Sequence, residues 1–128
     1  MILDSSVIVA IVYQEPGFDR LVETLVATPS LAIATPTLLE AGIVLGSRLG
    51  VDSEAVLDRF LSDFEVFRIP FGEHHWREAL SAYRRFGRSR HPAALNFGDC
   101  ISYATAKLAG EPLLFVGDDF AKTDLGQA

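Results

Sequence analysis

The sequence is poor in cysteine and has no long apolar run, and both shortages limit where the protein can work. Cys100 is the only cysteine, so no intrachain disulfide can form and nothing indicates an oxidising compartment. The first residues lack the basic and apolar regions of a secretory signal, and no apolar run approaches the roughly 18 residues of a membrane span. We therefore expect a cytoplasmic protein with no membrane partner.

Positive charge is also scarce. The chain has 11 Lys and Arg against 17 Asp and Glu, which gives a formal charge of −6. A protein that holds nucleic acid on a broad basic surface needs clustered Lys and Arg to displace counterions, so any basic contact here must be local. Zinc is disfavoured, because Cys100, His74, His75 and His91 lack the spacing of tetrahedral ligands.

What the sequence does contain is enough apolar residues for one hydrophobic core. Hydrophobic residues make up 49% of the 128 residues and charged residues 22%, which is an ordinary globular composition. A chain of this length fits one compact domain, and no linker or repeat divides it. We expect a single domain over residues 1–128.

Short apolar runs alternate with stretches of helical periodicity. Four runs are predicted to be strands, at 2–3, 31–34, 64–69 and 113–116. Helices are predicted at 7–12, 18–28, 35–49, 52–63, 73–86 and 97–109. The β-branched run 7–12 also suits a strand, but a hairpin with the first strand would lack a turn glycine. The alternation predicts a parallel α/β sheet with helices on both faces.

Acidic residues follow the predicted strands. Asp4 ends the first strand, Glu40 lies in the first turn of the helix after the second, and Asp118 and Asp119 follow the last. Asp99 lies at the start of the helix 97–109. Because ligands of such sheets bind beyond the carboxyl ends of the strands, these acids map to one crevice.

Each acid also has a structural explanation by itself. Thr37 and Glu40 have the spacing of a capping box, as do Asn96 and Asp99, and Asp4 can cap the next helix. Helix N-termini favour negative charge in any case. Taken together, however, carboxylates that share a cleft repel one another unless a cation neutralises them. Oxygen ligands suit Mg²⁺ or Mn²⁺, and a metal so held can promote phosphodiester hydrolysis by water.

Four segments follow a recognisable order along nearly the whole chain. They are Leu3-Asp4-Ser5-Ser6, Thr37-Leu38-Leu39-Glu40-Ala41, Leu95-Asn96-Phe97-Gly98-Asp99-Cys100, and Gly117-Asp118-Asp119-Phe120 followed by Thr123-Asp124. The combination resembles the PIN-domain toxins of VapBC toxin-antitoxin modules. This resemblance implies a three-layer α/β/α sandwich and a Mg²⁺- or Mn²⁺-dependent endoribonuclease that arrests translation by cutting RNA. It also implies a cognate antitoxin encoded alongside, and a homodimer.

The resemblance assigns roles to particular residues. Asp4 and Asp99 match the principal metal ligands of the family, Glu40 matches the second acid, and Ser6 matches the small hydroxyl residue that supports the site.

The acids near the end of the chain are less well defined. Asp118 and Asp119 are adjacent, so spacing does not separate them as the fourth acid, and Asp118 is the slightly favoured one. Asp124 either supports the site or caps a final turn, and the cap is the favoured interpretation.

One dense basic run precedes the helix that carries Asp99. It contains Arg84, Arg85, Arg88 and Arg90, and it is the candidate RNA-binding segment. The alternative is a solvated helix end, where Arg complements the helix dipole.

The alternatives to a nuclease are two other classes of Asp-dependent protein and a binding module. An aspartyl phosphatase would need an acid where Ser6 stands, and a receiver domain would need one near Ile69 and Pro70, so both are disfavoured. A catalytically inactive PIN-like module that binds nucleic acid or protein is the remaining alternative. It has no need to confine at least four acids in one cleft.

Overall fold

The computed structural model describes residues 1–50 and 52–125 of the chain. In this part of the chain, four parallel strands form one sheet in the order β3-β2-β1-β4. The strands are β1 (Ile2–Leu3), β2 (Leu31–Ala34), β3 (Val66–Ile69) and β4 (Leu113–Leu114). Because all four run in the same direction, their carboxyl ends meet at one edge of the sheet.

Six α-helices flank this sheet within the described ranges. They are α1 (Ser5–Val12), α2 (Phe18–Ala27), α3 (Thr35–Leu49), α4 (Ser53–Asp63), α5 (Glu73–Phe86) and α6 (Phe97–Ala109). A short 3₁₀ helix follows at Asp119–Lys122. Across residues 1–50 and 52–125, the structure contains no helix long and apolar enough to cross a membrane.

Two hydrophobic cores lie on opposite faces of the sheet. Successive side chains of a strand point to opposite faces, and accordingly Leu3 and Leu114 belong to one core while Ile2 and Leu113 belong to the other. The first core is completed by helices α1 to α4 and the second by α5 and α6. The predicted three-layer α/β/α arrangement is confirmed, and run 7–12 belongs to helix α1 rather than to a strand.

Two predicted strands are shorter in the structure. The prediction of a strand over 64–69 is wrong at its start, because Phe64 still donates its N–H to Phe60 at the end of α4, and Glu65 has a φ of 53°. The prediction of a strand over 113–116 is wrong at its end. There the N–H of Val116 donates to the Ser6 hydroxyl at 3.0 Å, and the strand ends at Leu114.

The two predicted capping boxes have different outcomes. Asn96 and Asp99 form a box in which each side chain accepts the other's backbone N–H, at 3.0 and 2.9 Å. The box predicted for Thr37 and Glu40 is wrong, because α3 already begins at Thr35 and Glu40 bonds elsewhere. Pro36 is suited to an early helix position, and α3 begins at the predicted residue 35.

Candidate metal centre

Asp4 lies at the carboxyl end of β1 and caps α1. The residue is only 6% exposed, and three donors satisfy its carboxylate. Oδ2 accepts from the Ser6 hydroxyl at 2.6 Å and from the Ser6 N–H at 3.2 Å, and Oδ1 accepts from the Ser102 hydroxyl at 2.6 Å. Burying a carboxylate is costly unless it is hydrogen-bonded, so these donors stabilise it and fix its orientation.

Ser6 links the ends of two neighbouring strands. Its hydroxyl donates to Asp4 and accepts the N–H of Val116, two residues beyond β4. Ser6 therefore supports the position of Asp4, and it also holds the start of the segment that leads to Asp118 and Asp119.

Glu40 reaches the same edge from α3. Its Oε1 accepts from the Ser5 hydroxyl at 2.8 Å. Its carboxylate lies directly against Gly98, where a Cβ atom would stand 2.1 Å from Oε2. Glycine at this position therefore lets the acid of α3 approach the first turn of α6.

Asp99 occupies that first turn of α6. Burial raises the pKa of its carboxyl from the ordinary 3.8 to about 6, against the lowering effect of the hydrogen bond from Asn96. The negative charges of Asp4, Asp119 and Glu40 raise this pKa further. The charges of three other carboxylates therefore act on Asp99 at this edge of the sheet.

The adjacent acids Asp118 and Asp119 are both exposed, but they differ in their effect on Asp99. The charge of Asp119 contributes to the raised pKa of Asp99, whereas the charges that raise it do not include that of Asp118. Asp119 is the first residue of the 3₁₀ helix and Asp118 is the residue before it. We therefore take Asp119 as the proposed fourth acid, where the sequence slightly favoured Asp118.

Asp124 contacts a different part of α6. It accepts hydrogen bonds from the Tyr103 hydroxyl and, at 3.1 Å, from Lys107 Nζ, and it pairs with Arg85 at 3.5 Å. Partial burial raises the pKa of Asp124, but the hydrogen bonds from Tyr103 and Lys107 and the charges of Lys107 and Arg85 bring it below its ordinary value. Its bonding partners are thus side chains of α5 and α6 and not the acids of the cluster.

The four arginines of the basic run differ in what their side chains contact. Arg85 donates to the Tyr103 hydroxyl at 2.8 Å and pairs with Asp124 and Glu78, so its guanidinium is engaged by other side chains although the residue is exposed. Arg84, Arg88 and Arg90 are exposed. Arg90 lies over the ring of Tyr83, 5.7 Å from its centroid.

Three residues of the site were not found from the sequence: Ser5, Gly98 and Ser102. Ser102 follows Asp99 by three positions, so both face the same side of α6, and this periodicity was a usable signal. Ser5 is adjacent to Asp4, but its bond to Glu40 spans 35 positions and depends on the packing of α3. The role of Gly98 depends on the same packing.

The donor set fits a hard divalent cation. Among residues 1–50 and 52–125, no three Asp, Glu, His or Cys side chains stand close enough together to enclose an ion directly. Mg²⁺ usually keeps several water ligands and binds only one or two carboxylates directly, so a looser ring of acids suits it. The charges of Asp4, Asp119 and Glu40 act on Asp99 in addition to its burial, and a cation at this edge would offset them.

Comparison with known proteins identifies the family. The family model described as PIN domain matches residues 1–125. The chain belongs to the PIN-domain family. Ribonuclease VapC42 of Mycobacterium tuberculosis is 42% identical over 129 residues, which covers 100% of this chain and 98% of that protein. The family predicted from the four motifs is therefore confirmed.

Solved structures support the same fold. VapC20 of Mycobacterium tuberculosis, described as a Sarcin-Ricin loop cleaving toxin, has a TM-score of 0.81 at 15% identity and covers 99% of this chain and 97% of its own. A chain of a toxin-antitoxin complex from Klebsiella pneumoniae has a TM-score of 0.73 at 18% identity and covers 96% of this chain and 92% of its own. At these identities the likeness concerns the fold.

Proposed function

We propose that this chain is a metal-dependent endoribonuclease and the toxin of a type II toxin-antitoxin pair. The observation that carries the proposal is the meeting of Asp4, Glu40, Asp99 and Asp119 at the carboxyl edge of the sheet, where their charges act on Asp99. The full-length similarity to a protein named as a ribonuclease supports the same chemistry. The chain retains the whole acid cluster, which disfavours an inactive PIN-like module.

Within the proposal, Asp4, Asp99, Glu40 and Asp119 would hold Mg²⁺ or Mn²⁺. A bound cation of this kind supplies charge neutralisation at the phosphodiester and lowers the pKa of water. Ser6 and Ser102 keep the Asp4 carboxylate in one orientation, and Ser5 does so for Glu40. Pre-set ligands of this kind need little rearrangement when the cation and the RNA arrive.

The basic residues near α6 would bind the RNA backbone. Arg84, Arg88 and Arg90 are exposed, so they are available for phosphate. Arg85 is engaged with Tyr103 and Asp124, which favours a structural role for it. The contact is local, as the net charge of −6 requires.

An apolar groove beside the acids would receive the antitoxin. The groove has a volume of about 750 Å³ and reaches Glu40 and Gly98. Leu39, Ile43 and Phe97 line it and are 66%, 63% and 83% exposed. Large exposed apolar patches mark interaction sites, so we assign the groove to an apolar segment of the antitoxin. The proposal also includes a homodimer, to be tested by the mass in solution, and a cytoplasmic location.

Sequencing of RNA ends after induction of the chain in cells tests the proposal. The wild type should stop growth and create discrete new RNA ends, and Asp99→Asn should do neither. Asp63→Asn is the matched control, because Asp63 is 61% exposed at the end of α4 and pairs only with Arg59 in the described structure. Growth arrest without new RNA ends would contradict a ribonuclease.

A further inference from the structure

The segment that carries Asp119 is attached to α6 by side chains that lie further along this helix than Asp99. The Tyr103 hydroxyl donates to Asp124 Oδ1, and Lys107 Nζ donates to Oδ2 at 3.1 Å. Arg85 of α5 donates to the Tyr103 hydroxyl at 2.8 Å. We call these four residues, Arg85, Tyr103, Lys107 and Asp124, the clamp.

The clamp is a firm attachment because its centre is buried. Tyr103 is 0% exposed and belongs to the second core together with Phe120. A buried phenol needs a hydrogen-bond partner for its hydroxyl, and Asp124 and Arg85 provide both an acceptor and a donor. Opening the clamp would leave this hydroxyl unpaired inside the protein.

The clamp and the acid cluster lie on the same stripe of α6. Asp99, Tyr103 and Lys107 follow one another at four-residue steps, which places them on one side of the helix. The 3₁₀ helix and its next residues therefore run beside α6, with Asp119 near the first of these positions and Asp124 at the other two. The Phe120 side chain between them is 2% exposed.

The two ends of this segment experience opposite electrostatic forces. The charge of Asp119 raises the pKa of Asp99, so these two carboxylates repel each other. Asp124 is attracted by the cations of Arg85 and Lys107. Attraction at one end, together with the burial of Phe120, holds the segment where repulsion would otherwise displace it.

We propose that Tyr103 and Asp124 are positioning residues that hold Asp119 at the metal centre. The inference rests on the proposed function for the identity of that centre. Neither residue touches the acids through a hydrogen bond, and both act through the short segment that joins Asp124 to Asp119. Asp124 thus supports the site without being a ligand.

Mn²⁺ affinity of the purified full chain tests the inference, measured by calorimetry and by electron paramagnetic resonance. Tyr103→Phe removes one hydroxyl and Asp124→Asn one charge, and each should weaken Mn²⁺ binding about tenfold, as is usual for residues that support metal ligands. Thr105→Val is the matched control, because the Thr105 hydroxyl is buried on the same helix and donates only to the Ile101 carbonyl. It should leave Mn²⁺ affinity unchanged.

A double-mutant cycle with Asp119→Asn shows whether Tyr103 and Asp124 affect Mn²⁺ binding through Asp119. If Tyr103 and Asp124 act through Asp119, neither substitution should weaken Mn²⁺ binding further in the Asp119→Asn background. Full additivity would overturn the inference, and so would an unchanged Mn²⁺ affinity accompanied only by a lower unfolding midpoint. A wild type that binds Mn²⁺ with this coupling but cuts no RNA would contradict the proposed ribonuclease and still support the positioning role.

Discussion

The Glu40 carboxylate occupies the space that a side chain on Gly98 would need, because a methyl group there would stand 2.1 Å from Oε2. Helix α3 brings an acid to the sheet edge, and the missing side chain of Gly98 gives that acid room beside Asp99. The acids therefore meet because of a packing detail as well as because of their positions after the strands.

Replacing Gly98 with alanine should separate folding from activity. Only the flexible end of Glu40 has to move, with loss of its hydrogen bond from Ser5, so the unfolding midpoint should change little. The displaced carboxylate should weaken Mn²⁺ binding and RNA cleavage by about tenfold or more. Thermal unfolding and initial cleavage rates measure the two effects.

The control for this prediction removes the Glu40 carboxylate, with which the alanine at position 98 would clash. In a Glu40→Ala background there is no carboxylate to displace, so adding Gly98→Ala should cause no further loss of Mn²⁺ affinity. An equal loss in both backgrounds would mean that Gly98 matters for a reason other than Glu40.

The two adjacent acids should differ in their effect on metal binding. Asp119→Asn should weaken Mn²⁺ binding and cleavage strongly, because the charge of Asp119 acts on Asp99. Asp118→Asn should retain most of both, and since it is the neighbouring position with the same change of charge, it is the matched control. Calorimetric Mn²⁺ titration of the two variants decides between them, and the reverse order would restore Asp118 as the fourth acid.

Ser102→Ala should affect the metal centre as well as stability. Removing a hydrogen bond to a charged buried group costs about 1.5 to 3 kcal/mol, and Asp4 would lose the donor at its Oδ1. Thr105→Val should cost stability too, because its hydroxyl is also buried, but only Ser102→Ala should change Mn²⁺ affinity. If both variants lower stability alone, Asp4 does not need Ser102 for metal binding.

The free energy of unfolding of the metal-free protein should depend on pH because of Asp99. Its folded pKa of about 6 lies above the ordinary 3.8, so the folded state holds this proton more tightly than the unfolded chain does. The contribution of Asp99 to the free energy of unfolding should therefore fall as pH rises from about 4 to about 6. Denaturant unfolding of wild type and Asp99→Asn across this range measures it, as the difference between the two proteins.

Bound Mn²⁺ should reverse that trend, because protons compete with the metal for the carboxylate. The stabilisation by Mn²⁺ should increase as pH rises through about 6. A stabilisation by Mn²⁺ that does not change with pH in this range would contradict a role of Asp99 as ligand.

The sequence predicted the order of strands and helices because apolar periodicity depends on local residues. It misplaced boundaries where tertiary contacts decide. Phe64 prolongs the end of α4, and the N–H of Val116 is drawn to Ser6 rather than into the sheet, and neither is visible in the local pattern. Val116, which was predicted as the end of a strand, therefore contacts the candidate site through Ser6.

The candidate site was likewise predictable in its main positions but not in the details that depend on tertiary contacts. The order of strands placed Asp4, Glu40 and Asp99 at one edge, and the structure brings them together. The choice between Asp118 and Asp119 depends on how the 3₁₀ helix begins, and the sequence has no signal for that. The engagement of Arg85 with Tyr103 and Asp124 likewise joins residues from three segments and is visible only after folding.

The most direct test of the account is metal-dependent cleavage of RNA by the purified chain. A defined RNA should remain intact with a chelator and be cut at discrete positions when Mg²⁺ or Mn²⁺ is restored. Asp99→Asn should abolish cutting, and Asp63→Asn should leave it unchanged. Cleavage that persists in the chelator, or that Asp99→Asn retains, would contradict a carboxylate-held metal as the source of the activity.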